Sequence, residues 1–234
     1  MGNFFKNLFN KNSENKAEEI KVTTLPPQQV TEESLKRILN GAGPILNMLT
    51  GMFTTKAGFD ISKALFYSAA LTGYASHQAV KTYNPDLFVL VQTKNGATYY
   101  YGDAVNTYLF ESQYNYLQFC NAAYNKVFPN EEIPEFKKAI EKVANNLGND
   151  QYLVCDIYKQ DYAYNMVKQC WNGSYDNMTA KYCVEPYEWP ILFSIVNQNL
   201  MIKAFPVAPK ETIYLNSIEI ATFISKLDDN SFVK

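Results

Sequence analysis

The sequence predicts an α+β fold that is predominantly helical: one short antiparallel β-hairpin packed against a bundle of about six helices. Three observations carry that expectation. Asn95-Gly96 lies between LFVLVQT and ATYYY, and a two-residue type I′ turn needs positive φ at both central positions, which Asn-Gly supplies. Apolar residues recur at helical spacing through most of the remaining chain. Hydrophobic residues make up 47% of the 234 positions, enough to bury a core in one sizeable domain.

Residues 1–29 read as a flexible tail. MGNFFKNLFNK places Phe4, Phe5, Leu8 and Phe9 on one face of a short helix, and the polar stretch after it ends in Pro26-Pro27. The apolar face would give a weak peripheral membrane contact or dock a partner, or its aromatics pack on the domain itself. Removing Met1 to Gln29 is expected to leave the melting temperature nearly unchanged. Residues 30–228 read as a single globular domain and 229–234 as a frayed end.

Thr31 caps a helix with Leu35, Ile38 and Leu39 on one side. Gly41-Ala42-Gly43-Pro44 is expected to break it, with Pro44 starting a second short helix. The glycines are no phosphate loop, since no strand precedes them and no Gly-Lys-Ser/Thr follows. Asp60 caps a longer helix running to about Tyr83. It is apolar almost all round, hence central, and too interrupted by Lys63, His77 and Gln78 for a membrane span. Ala69 and Gly73 on it allow another helix to approach closely.

The Asn-Gly turn sets a register: Thr93 opposite Thr98, Gln92 opposite Tyr99, Val91 opposite Tyr100, Leu90 opposite Tyr101. Gly102 then takes a conformation other residues resist, and Asp103 caps a short helix from Ala104 to Phe110. Ser112 is a second candidate cap, leading into a helix whose inner face is Tyr116, Cys120, Ala123 and Val127. Pro134 opens a helix with the stripe Phe136, Ile140, Val143 and Leu147, stopped by Gly148. Residues 151–183 are ambiguous: YLVCDIY could be a strand, while DYAYNMVKQCW and DNMTAKYC look helical. EPYEWP introduces a strongly apolar helix, Pro206 and Pro209 punctuate it, and a last helix carries Ile213, Ile220, Phe223 and Ile224.

Composition excludes several chemistries. A net charge of −2 gives no broad electrostatic grip on nucleic acid. Arg37 is the only arginine, so the usual fork for phosphate and carboxylate groups is nearly missing. Lysine in its place, with abundant Asn and Tyr, looks like the bias of an AT-rich bacterial genome. Cys120, Cys155, Cys170 and Cys183 form no CxxC pair, and the N-terminus carries no apolar signal region. Four reduced thiols in a cytoplasmic protein are therefore expected, with the sequons at Asn172 and Asn177 as chance matches. His77 is the only histidine, so no histidine-rich metal site is expected, and no cofactor motif is present.

Three segments resemble a family of bacterial proteins: LTGYASHQAVK, TKNGATYYYGDAVN and EPYEWPILFSI. In that family D-G-x-x-Y-Y-F-G-D-x-x-N and E-W-P-x-L-F recur at comparable spacing. Here Tyr101 stands in place of Phe and Asn95 in place of Asp. The resemblance spans roughly Ile61 to Leu227 and implies an architecture without an activity.

The residues that could form a ligand or partner surface are His77, Tyr99, Tyr101, Asp103, Glu188 and Trp189. Each has a structural alternative. His77 reads as a hydrogen-bonded core histidine or a catalytic base, and Asp103 as a cap or a ligand contact at helix amides. Glu188, with Glu185, suits the dipole of a helix start. The tyrosines read as a half-buried sheet or as a face for a partner. The leading function is a non-enzymatic bacterial cytoplasmic module that binds a protein partner, or another copy of itself, through its Tyr-rich hairpin. The alternative is a small-molecule binder or enzyme with a pocket near Asp103, His77 and the tyrosines.

Overall fold

A computed structural model describes residues 25–93, 96–172 and 176–232 of the chain. Phe4, Phe5, Leu8 and Phe9 lie outside the described residues, as do Lys94 and Asn95 of the hairpin turn. The predominantly helical α+β class holds: long helices surround one buried helix, and the only strands among the described residues are paired two by two.

Helix α1 (Glu32–Met52) opens on a reciprocal capping box. Thr31 Oγ1 accepts the Ser34 amide at 3.1 Å, and Ser34 Oγ accepts the Thr31 amide at 2.9 Å. It then runs through Pro44 without stopping, where two helices were expected. Proline removes one amide donor and crowds the carbonyl four residues back. Burial of Ile38, Ala42, Ile45 and Leu49 along one face outweighs that loss. Gly41 serves packing rather than a break: a Cβ there would lie 2.7 Å from Tyr182 Cβ. A small hairpin, β1 (Thr54–Thr55) with β2 (Gly58–Phe59), follows where a plain loop was expected.

Helix α2 (Ile61–Tyr83) is the axis of the molecule. Asp60 Oδ1 accepts the Lys63 amide at 3.0 Å, the expected cap. Nearly every side chain from Ala64 to Val80 is buried, so neighbours are needed on all sides. A 3-10 turn over Pro85–Leu87 leads to β3 (Val89–Gln92), which pairs antiparallel with β4 (Thr98–Tyr101). The register differs by one residue from the expected one: Val89 faces Tyr101, Leu90 faces Tyr100, Val91 faces Tyr99 and Gln92 faces Thr98. The Thr93 amide bonds the Ala97 carbonyl at 2.8 Å, and Gly96 has φ +91°. The connection is thus one residue longer than the two-residue turn, with glycine at its positive-φ position. A slip of one exchanges the faces of a strand.

Helix α3 (Asp103–Asn106) passes into a π turn (Thr107–Glu111), then α4 (Tyr116–Val127). Neither expected cap acts as one. Gly102, at φ +122°, holds the cap position before Asp103, which makes no capping bond. Asn115, three residues past Ser112, caps α4 by accepting the Gln118 amide at 3.0 Å. Helix α5 (Lys137–Asn146) buries Ala139, Ile140 and Val143, and Gly148 ends that region at φ +83°. The ambiguous stretch resolves into a hairpin, β5 (Leu153–Val154) with β6 (Tyr158–Lys159), then α6 (Gln160–Cys170) and α7 (Asp176–Tyr182).

Helices α8 (Glu188–Ala204) and α9 (Lys210–Ile224) complete the core against α2, with α1 and α4 packing on α8 and α5 on α9. The four-helix centre is joined by buried polar groups rather than by hydrocarbon alone. Asn197 donates to Ser68 Oγ at 2.7 Å and to the Leu65 carbonyl at 3.2 Å. Tyr116 OH donates to Asn197 Oδ1 at 2.9 Å and lies 3.1 Å from the Ser217 carbonyl. One network therefore ties α2, α8, α4 and α9 in a single arrangement.

Both ends of the described chain are more engaged than expected. Asp229–Phe232 form a 3-10 turn, Ser231 Oγ donates to the Thr98 carbonyl at 2.6 Å, and Phe232 packs on Tyr164. The 229–234 segment therefore does not fray over those four residues. Leu25 packs on the core, Gln28 Oε1 accepts the Tyr114 amide at 3.2 Å, and Tyr187 OH donates to the Gln29 carbonyl at 3.2 Å. Leu25 to Gln29 are thus held by the domain, and removing them breaks these contacts. No helix among the described residues is long and apolar enough to cross a membrane.

Candidate functional site

The β3–β4 hairpin is built with an inner and an outer strand. β4 is held on both sides. β3 lies along one edge; along the other the Tyr100 amide donates to the Lys226 carbonyl at 2.9 Å and Ser231 bonds Thr98. Its side chains point into the domain. Tyr99 is buried against Gly148, and Tyr100 and Tyr101 are half-buried, with burial raising both phenols to about 12. The tyrosines are therefore mainly packing groups, and the exposed part of the hairpin is the strand without them.

β3 has no second neighbour among the described residues. Val89 is 57% exposed, Leu90 60% and Val91 44%, unusual for three consecutive aliphatic side chains. The ladder fixes where the backbone groups point. Tyr100 spends its amide on Lys226, so the Leu90–Tyr100 pair does not exchange hydrogen bonds. In an antiparallel ladder such pairs alternate with bonded ones, which turns the N–H and C=O of Leu90 and Gln92 outward. No charge and no proline interrupts Val89–Gln92, so of the usual devices that blunt an edge this strand has its shortness.

Beneath β4, His77 is fully buried between two rings. Phe88 stacks on it with centroids 4.7 Å apart, and Tyr100 meets it edge-on at 4.9 Å. Nδ1 lies 3.1 Å from the Ser225 carbonyl, so Nδ1 carries the proton and Nε2 is the acceptor. Nε2 has no hydrogen-bond partner. Burial pushes the imidazole from 6.5 down to about 4, partly offset by the Ser225 bond. The folded state resists a proton that the unfolded residue accepts between those values. His77 thus contributes its full stability above pH 6.5, and that contribution is lost as pH falls towards 4. The loss should reach about 3 kcal/mol. In urea titrations between pH about 4 and 7 the wild type should lose stability relative to His77→Gln by that amount as the pH falls. Parallel curves would contradict this.

Lys226 runs beneath the same region, 7% exposed, with Nζ donating to Asn106 Oδ1 at 3.1 Å. Desolvation lowers its ammonium to about 8, opposed by the carboxylate of Asp103. Asp103 is itself exposed. Asp228 accepts from Tyr100 OH. Sequence reading singled out His77 and Asp103 but not Lys226, Asn106 or Asp228, because no spacing links the end of α9 to β4. The only cue was Lys226 following the apolar Phe223-Ile224, too close to the helix's inner face to be a solvated charge.

Glu188 and Trp189 belong to other contacts. Glu188, 2% exposed, receives both bonds of Arg37 Nη2 at 2.7 and 2.8 Å and the Val184 amide at 2.7 Å. Trp189 packs edge-on against Trp171, centroids 5.6 Å apart, and Trp171 meets Tyr74 at 5.4 Å. Neither contact involves β3 or β4. The four cysteines are free thiols, and burial holds Cys120 and Cys183 up at about 12, so they are not thiolates near neutrality. Among the described residues no group of His, Cys, Asp and Glu side chains could hold a metal ion.

No protein-family model, curated protein or solved structure matches this chain.

Proposed function

We propose that this protein is a bacterial cytoplasmic interaction module that accepts an extended segment of a partner protein along β3. The observation that carries this reading is the edge itself: outward-facing backbone groups at Leu90 and Gln92, flanked by the exposed side chains of Val89, Leu90 and Val91. An extended backbone matches alternate N–H and C=O groups at strand spacing, and the exposed side chains on both faces favour an apolar segment. A strand of four residues buries far less than the roughly 1,000 Å² of a stable dimer, which favours a short peptide segment over a second copy. His77, enclosed by Phe88 and Tyr100, has no open face to offer a small molecule, which weighs against the ligand-binding alternative.

The bacterial family sharing the YYxGDxxN and EWPxLF patterns forms part of the same proposal. Those positions have uses here: Gly102 sits close under the Leu87 carbonyl, Asn106 holds Lys226, and Glu188 holds Arg37.

Hydrogen exchange tests the edge. In the free protein the Leu90 and Gln92 amides should exchange quickly and the Val91 amide slowly; on partner binding Leu90 and Gln92 should become protected. Leu90→Pro removes only an outward N–H and should abolish binding while leaving the melting temperature nearly unchanged. Val91→Pro, which removes a ladder bond, should damage the hairpin. A purified partner whose footprint leaves Leu90 and Gln92 exchanging freely would sink the reading.

A further inference from the structure

Lys226, just past the end of α9, is a buried charge with no ion-pair partner among the described residues. An ammonium carries three donors, and among the described residues the side chain meets one acceptor, Asn106 Oδ1 at 3.1 Å. Asn106 is itself 5% exposed and lies on α3, 120 positions earlier in the chain. The Lys226 carbonyl is fixed by the Tyr100 amide at 2.9 Å, so the backbone that carries the amine is held under β4. Burying an ammonium against a single neutral acceptor is costly. Two changes remove that cost: loss of the proton, or conversion of the nitrogen to an amide.

Desolvation already favours the first, bringing the group from 10.5 down to about 8, and a free amine is a nucleophile. A hydrogen bond to Oδ1 of this length, with a carbonyl of about 1.23 Å, puts Nζ roughly 3.3–4 Å from Asn106 Cγ. That is close to the separation of a reacting pair. The last torsion of asparagine is broad, so the carboxamide can turn its face to the amine. Asp103 stands three residues before Asn106 on the same side of α3, and its charge acts on Lys226. It is exposed and makes no capping bond, so its carboxylate is free to carry protons.

We propose that Lys226 and Asn106 join in an intramolecular isopeptide bond, with Asp103 moving the protons. Asp103 takes a proton from the ammonium, Nζ bonds Asn106 Cγ, and the carbonyl electron pair moves onto Oδ1. As that pair returns, Asp103 gives its proton to Nδ2, the Cγ–Nδ2 bond breaks and ammonia leaves. The second Nζ proton passes to Asp103 and departs with the ammonia as ammonium. Nothing is oxidised or reduced and no co-reactant is consumed. The product is a neutral amide, so the buried charge is gone. The bond also closes the chain from Asn106 to Lys226 into a ring, which restricts the unfolded state as a disulfide would. It uses none of the outward groups of β3, so it stands or falls separately from the interaction reading.

Intact-mass measurement of the full chain, kept folded at neutral pH and then denatured, tests the proposal. The wild type should be lighter than its sequence by one ammonia, and a digest should yield a branched peptide joining Asn106 to Lys226. Lys226→Met and Asn106→Ala should both show their full sequence masses. Asp103→Asn, at an exposed position, should fold and should cross-link about tenfold more slowly or worse. Wild type at its full sequence mass overturns the proposal and needs no variant to fold. So does loss of ammonia without the branched peptide, as a succinimide at an Asn-Gly pair would give. Cross-linking undiminished in Asp103→Asn overturns the proton-carrying step assigned to Asp103.

Discussion

Gly73→Ala is expected to be among the most damaging single-methyl changes in this protein, costing about 3 kcal/mol or more. At Gly73, helix α2 crosses α9 so closely that an added Cβ would lie 2.1 Å from the Ala221 carbonyl oxygen and 2.9 Å from its carbon. No real side chain sits that near a backbone atom, and the obstacle is main chain, which no rotamer change can move aside. The helices must separate, and with them go the contacts of the largest helix pairs in the core. On an exposed helix the same change would stabilise by about 1 kcal/mol, since alanine is the better helix former. The sign therefore reports the crossing. Chemical denaturation of the purified variant measures it; a stability equal to or above wild type would mean that α2 and α9 do not touch at Gly73.

Arg37→Ala should cost about 3 kcal/mol, because it strands a buried carboxylate. Glu188 keeps the Val184 amide but loses both guanidinium bonds, and the Arg37 Nε bond to the Tyr182 carbonyl at 3.1 Å goes with them. The arginine side chain is 30% exposed, so the strength comes from Nη2 spanning both oxygens of a buried partner more than from full desolvation of both charges. Arg37→Lys should recover only part of the loss, since its one ammonium can replace Nη2 at Glu188 but has no second nitrogen for the Tyr182 carbonyl, which Nε holds. Combining Arg37→Met with Glu188→Met should cost clearly less than the sum of the two single changes, because no unpaired charge remains. Strict additivity would show that the pair contributes nothing as a pair. The sole arginine of the chain thus acts as a clamp between α1 and the start of α8.

Much of the frame was legible from local chemistry. Asp60 before an apolar run, Thr31 before a helix and Gly148 after one each act within a few residues, and each holds in the structure. The central position of α2 followed from its lack of a polar face, and its close approach to a neighbour from Gly73. Local rules failed where two of them competed. Pro44 signals a break, but the buried stripe around it continues the helix. Ser112 and Asp103 are both good caps, yet Asn115 and Gly102 occupy the cap positions. The Asn-Gly turn was recognised, and one additional loop residue moved every pair in the ladder.

The candidate sites were the least legible part. His77, Tyr99, Tyr101 and Asp103 come from one neighbourhood of the sequence, but what surrounds them comes from α9 and the segment after it. Lys226 and Asp228 lie more than a hundred positions away, and only the folding of α9 back along α2 brings them beneath β4. Glu219 reaches Lys142, Tyr152 and Cys155 in the same way. By itself the sequence determined most of the helices and the identity of the core helix, because periodicity and capping are read from neighbouring residues, while the short hairpins β1–β2 and β5–β6 were not legible. Tertiary structure alone decided which strand of the hairpin faces solvent, which carboxylate the arginine meets and which groups surround Glu219. Those outcomes depend on which distant surfaces bury each other, and burial between remote segments leaves no local spacing to read.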